Sequence, residues 1–380
     1  MKRIGLLVFV LLLILPVSAV ADENELIEKQ MENLNIDEVL ESYRLNMQDS
    51  EIEFDMEEQL DQMIKGEISL NPLKTLQFCL NYFLKEVRAS LWILFTVLLI
   101  SIIGGILSNM SSSYQTGNMP DIAYYAVYAV ICILISKVFL TAVSESTQVI
   151  RQICDFVNAM VPVIVPMLAL SGSITAANVV TPLLYSAISV IISVIELFII
   201  PALFFVFGIV AVKNISRDFD FSAIITISKN VIKWVLTFML IVYSGICAVS
   251  TFVSNTFDGI AIKGSKFAVG NFVPVVGGVL SDTVDMFLNC TNIIKTSAGT
   301  VFLIGLLCIF GVIALKLAAQ ILIFKVSSFL CQCVNDKKTA LFISETGDVI
   351  SMMFSVLVCV FVLFVSLLSI IVYLVRPIGG

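Results

Sequence analysis

The chain has no histidine among its 380 residues. That removes the usual general base at neutral pH and the commonest metal ligand. Charged residues are scarce, at 13%. No GxxxxGK[ST] segment occurs, and no GxGxxG follows a strand-like run, so nothing marks a nucleotide site. No face interleaves basic and aromatic residues as nucleic-acid binding requires. The nine cysteines show no redox or zinc spacing; Cys331 and Cys333 are separated by a single residue. Scattered through apolar segments, they read as small packing residues. The sequence therefore points to no catalytic group, cofactor or metal, and to a protein that is not an enzyme.

What is present is apolar length. Hydrophobic residues make up 59% of the chain and the mean hydropathy is +1.02. Soluble proteins sit near 45–50%. The fold class expected is an all-α polytopic membrane protein. The net charge of −7 is unevenly spread. Residues 22–71 hold 16 Asp/Glu against three Lys/Arg, or −13, which leaves +6 for the rest.

Residues 1–21 read as a signal peptide: Lys2 and Arg3, an apolar run from Leu6 to Leu15, then Ala19-Val20-Ala21 before Asp22. An uncleaved anchor is the alternative. Either way residues 22–71 form an acidic extracytoplasmic arm, poor in the Lys/Arg that hold segments inside. Apolar residues at helical spacing in it, such as Ile36, Leu40, Tyr43 and Met47, predict short amphipathic helices. Asn71-Pro72 is a helix start, and residues 72–90 read as an amphipathic helix lying in the interface.

Residues 91–380 form the multi-span membrane domain. Long apolar runs occupy Leu91–Ser108, Ile122–Val143, Phe156–Gly172, Val179–Val212, Ile224–Phe252, Gly299–Phe324 and Ile350–Val375. With Pro201 dividing the long run at 179–212, they predict about six to eight crossings. Lys/Arg cluster in 213–233 and 325–338. Placing both inside puts the acidic arm, the 255–298 loop and the C-terminus outside.

One stretch departs from the pattern. Ser265 to Asp285 contains Gly270, Asn271, Pro274, Gly277, Gly278 and Asp282, and its apolar core of nine residues is too short to cross. It is either an ordinary loop or a re-entrant segment shielded by other helices; the scarcity of polar side chains favours re-entrance. Pro162 to Gly172, with Pro162 and Pro166, has the same character. Paired breaks of this kind mark a binding site or pore in many transporters. Intramembrane charges are the other signal. Glu196 lies deep in an apolar run, and Lys137 and Lys316 (with Gln320 one turn on) are the candidate partners for it. Snorkelling lysines are the bland alternative.

The run Lys266-Phe-Ala-Val-Gly-Asn-Phe-Val-Pro-Val-Val-Gly-Gly-Val-Leu-Ser-Asp282, with the leader, acidic arm and multi-span body, resembles the stage III sporulation protein AE family of endospore-forming bacteria. The resemblance implies a multi-pass protein of the mother-cell membrane facing the forespore. It implies partners encoded with it in the stage III sporulation A operon, ring-forming and ATPase-like, and indirectly a forespore-membrane protein. The implied role is that of a non-catalytic component of a transenvelope channel, a feeding-tube or secretion-like complex. It supplies no catalytic residues. The residues alone leave open a secondary transporter or permease with a midplane site around Glu196, and a non-conducting membrane scaffold; membrane lipid and further copies of the chain are the other expected contacts.

Overall fold

The computed structural model describes residues 72–112, 119–170, 173–213, 221–272, 277–333 and 337–373, together with Glu41. The expected signal peptide, the expected acidic arm apart from Glu41, and Pro274 lie outside the described residues. Six long helices account for nearly everything described, and no strand occurs among the described residues: α1 Pro72–Ser112, α2 Met119–Leu170, α3 Ala176–Lys213, α4 Ser222–Phe272, α5 Gly277–Cys333 and α6 Lys337–Tyr373. Each holds a segment long and apolar enough to cross a bilayer, from 25 residues in α1 (Leu80–Gly104) to 46 in α2 (Tyr125–Leu170). The fold is an all-α polytopic membrane architecture, with six helices able to cross a bilayer among the described residues, the lower bound of the sequence range.

The reduction to six has two causes. Pro162 and Pro166 do not break α2, which runs unbroken to Leu170. Both lie on its exposed face, while Val163, Ile164, Met167 and Leu168 are buried opposite. The missing N–H groups therefore fall on the outer side, and the buried side keeps the helix docked. The expected second broken segment is absent, and with it the paired-break reading. Likewise Pro201 does not divide α3. Two π-helical turns, Ala176–Val180 and Ile195–Ile199, end just before Pro182 and Pro201. Their wider bonds, Thr181 N–H to the Ala176 carbonyl and Ile200 N–H to the Ile195 carbonyl, let the ring follow without ending the helix.

At the other end of the bundle, α1 begins at Pro72, as the Asn71-Pro72 signal predicts, but it does not stop at residue 90. No proline or glycine interrupts 73–103, so the expected interfacial segment and the first span are one helix.

Successive helices run antiparallel. Gly104, near the end of α1, meets Val127 near the start of α2. Tyr128 donates to the Ala211 carbonyl at the end of α3 (3.0 Å). Lys213 there pairs with Glu345 near the start of α6. The Lys-rich ends of α3, α4, α5 and α6 thus gather at one end of the bundle, the lysine end. The start of α1, the α4–α5 junction and the end of α6 fall at the other. This is the grouping that the positive-charge bias requires.

The core is built around α5 and α6, whose most apolar windows are 50% and 56% buried against 28–33% for the other four helices. Phe310 stacks on Phe361 between them, centroids 4.1 Å apart. Phe139 of α2 stacks on Phe207 of α3 at 4.1 Å. A Cβ on Gly104 would sit 2.9 Å from Val127 Cγ1, a stiff β-branched group. Gly104→Ala is expected to destabilise the α1–α2 contact by about 1–3 kcal/mol. Gly208→Ala, with nothing within 4 Å, should be neutral or slightly stabilising. Unfolding midpoints in mixed micelles test the contrast.

Candidate functional site

Ion pairs cross the bundle at three depths, each joining different helices. Nearest the lysine end, Lys213 Nζ lies 2.6 Å from Glu345 Oε1, with both side chains less than a fifth exposed. One turn further along α6, Asp348 takes two lysines: Lys325 of α5 at 2.6 Å and Lys229 of α4 at 3.3 Å. Lys325 also donates to the Ser344 hydroxyl and carbonyl. This cluster ties α3, α4 and α5 to the first third of α6. The acidic partners are intrahelical neighbours at i and i+3, so one face of α6 serves three lysines.

Deeper, Lys316 of α5 lies 2.8 Å from Glu145 Oε1 of α2, both about one-third exposed. Glu145 Oε2 and Gln320 Oε1 are buried without a hydrogen-bond partner. At the third depth, Arg151 of α2 approaches Glu196 of α3 at 3.3 Å on the outside of the bundle, with Arg151 70% exposed. Tyr185 of α3 donates to the Asn158 side chain of α2.

Glu196 is therefore an ion-pair residue, as its depth predicts, but with neither expected partner. α3 packs beside α2 at that depth and meets Arg151, while Lys316 reaches the opposite side of α2 and Glu145. Lys137 is exposed and forms no ion pair with a described residue. Glu145, Arg151, Glu345 and Asp348 were not expected from the sequence. Glu145 and Arg151 fall in the polar gap at 144–155 between two apolar runs. The signal there was the alternation of buried Val143, Ile150, Ile153 and Val157 with polar Ser144, Gln148, Arg151 and Asp155, a single amphipathic helix.

In the Ser265–Asp285 stretch, helix borders residues 273–276 on both sides. Gly270 and Asn271 lie in the last turn of α4, Gly277 and Gly278 are the first two residues of α5, and Asp282 lies in its second turn. Backbone described as helix thus enters and leaves the motif, with residues 273–276 outside the described set. Both helices continue past the apolar runs that the sequence places at 224–252 and 299–324, α4 to Phe272 and α5 from Gly277. The further residues of α4 add about 30 Å of helix. The motif thus spans the end of α4 and the start of α5.

A sequence profile of the family described as Stage III sporulation protein AE matches residues 54–374, which includes all six helices. The chain belongs to the stage III sporulation protein AE family. A relative named stage III sporulation protein AE, from Bacillus subtilis (strain 168), is 25% identical over 305 residues, covering 78% of this chain and 76% of the relative. No solved structure matches. In this member of the stage III sporulation protein AE family, five ion pairs join neighbouring helices among the described residues. Among the described residues, no three His, Cys, Asp or Glu side chains come close enough to hold a metal ion.

Proposed function

We propose that this chain is a non-catalytic membrane subunit of a transenvelope channel between mother cell and forespore. In this reading it sits in the mother-cell membrane with the lysine end in the cytoplasm. The acidic arm and the α4–α5 junction then face the space between the two membranes. The observation that carries it is family membership across the whole helical body, joined to six apolar helices whose Lys-rich ends share one side. The partners are the ring-forming and ATPase-like proteins of the same operon, met on opposite sides of the membrane, and through the rings a forespore-membrane protein.

The permease reading placed a substrate site at Glu196. That carboxylate is already paired with Arg151, on the outside of the bundle, which leaves little for a substrate cation to gain there.

The test is deletion of the gene in the native host after engulfment. Late forespore gene expression should be largely lost while early forespore expression stays normal. Unchanged late expression would overturn the proposal. Solute uptake by the purified protein alone in liposomes would replace it with the permease.

A further inference from the structure

The outer surface of the bundle is not uniform at one depth. Glu145 pairs with Lys316, and Phe156 meets Phe302 edge-on at 6.5 Å. The α2 segment between them therefore runs alongside residues 303–315 of α5. From 296 to 315, α5 carries no charge. Phe310 stacks on Phe361 of α6, and Tyr243 of α4 donates to the Leu363 carbonyl. α6 has no charge from 349 to 373, and α4 has none from 234 to 257. Three helices are thus uncharged at this depth, as a bilayer interior demands. The outward face of α4 there is Phe238, Ile241, Val242 and Val249, all exposed and suited to lipid.

α2 at the same depth is different. Ser144, Gln148, Arg151, Asp155 and Asn158 are all exposed and recur at three- and four-residue steps, forming one row along the helix. Beside them, α3 adds exposed Ser189 and Ser193 and half-buried Glu196. The serines bond to carbonyls of their own helix, at Tyr185 and Ser189, so they alone demand nothing. Gln148 and Asp155 do, and Arg151, although paired with Glu196, keeps most of its side chain exposed. Asp155 forms no ion pair with a described residue. A charged carboxylate and a guanidinium 70% exposed are strongly disfavoured against lipid tails, and such groups in membrane helices face protein or water.

We infer that the α2–α3 row faces water and forms one wall of a hydrated conduit, which further copies of this chain close. One bundle carries the row on its outside, so a single copy cannot enclose it. Lys137 and Arg151 balance Asp155 and Glu196, so copies presenting the same row across water do not repel one another. Exposed Val190 and Leu197 on the adjoining face of α3 supply apolar margin for contact between copies. The inference rests on the channel reading above and adds to it the surface that lines the passage.

The test adds one cysteine at a time to the full wild-type chain: Gln148→Cys, Ser189→Cys or Ser193→Cys in the row, Ile241→Cys or Val249→Cys on the lipid-suited face. Serine to cysteine exchanges a single atom, so folding is not at stake at 189 and 193. Open membrane fragments from sporulating cells are treated with a charged, membrane-impermeant thiosulfonate, and labelling is counted peptide by peptide. The thiolate is the reacting form and ionises in water. Row sites should label at least about ten-fold faster than the α4 sites. Equal rates would overturn the inference. So would disulfides between copies at residue 148 without labelling, which would make the row a dry interface. Fast labelling with unaffected late forespore expression in the deletion strain would sink the sporulation-channel reading and leave the row hydrated. Slow labelling with lost expression would do the reverse.

Discussion

Glu345→Ala is expected to destabilise the protein by about 3 kcal/mol. The pair it breaks is the most enclosed of the five described ion pairs, with side chains 18% and 19% exposed and a 2.6 Å contact. Removing one partner leaves the Lys213 ammonium enclosed without a counter-charge, and this unpaired ion, rather than the lost attraction, is the larger effect. The position of Lys213 at the C-terminal end of α3 offsets part of the loss, because that helix end favours a cation. Lys213→Met combined with Glu345→Leu should recover most of the stability, since both charges then leave together. Unfolding midpoints in mixed micelles measure both. If the single and double variants lose equal stability, the pair does not act as a unit.

Reversing Lys316 tests the second pair. Lys316→Glu would set two carboxylates where Lys316 now lies 2.8 Å from Glu145, at a depth where an unpaired charge costs about 2.5–3.5 kcal/mol. Folded, membrane-inserted protein should fall by about that equivalent. Glu145→Lys in the same chain should restore it to within about 1 kcal/mol. Glu196→Lys should not, because Glu196 faces Arg151 on the far side of α2. Rescue by residue 196 instead of 145 would show the helix order described here to be incorrect.

Much of this order could not have been read from hydropathy. Individual spans follow from uncharged runs such as 349–375 and 234–257, which nothing but a bilayer crossing explains economically, while their number stays at about six to eight. The grouping of Lys213, Lys229 and Lys325 follows from the charge bias. Partner choice does not, because it depends on which helix packs against which, and apolar composition is nearly the same on all of them. Lys316 could have met any acidic residue at its depth; packing of α5 on α2 selects Glu145. The prolines misled for a related reason. At Pro162 and Pro166, a missing donor on the outer face of a docked helix is tolerated, and the sequence shows the missing donor but not the docking. At 144–155 the polar residues lower the hydropathy, yet their three- and four-residue spacing is that of one continuous helix.

The two π-turns in α3 have a consequence for phase. Each fits one surplus residue into a single coil, so everything downstream is rotated by about 100° relative to an uninterrupted α-helix. Glu196 lies inside the second of them. Closing that coil to an ordinary α-turn with every residue retained would swing the remainder of α3 through nearly a third of a revolution, carrying Lys213 away from Glu345 and Phe207 away from Phe139. The odd-sized coils act as the timing marks of the helix, and its two flanks stay in step with their neighbours only while the surplus stays absorbed in them.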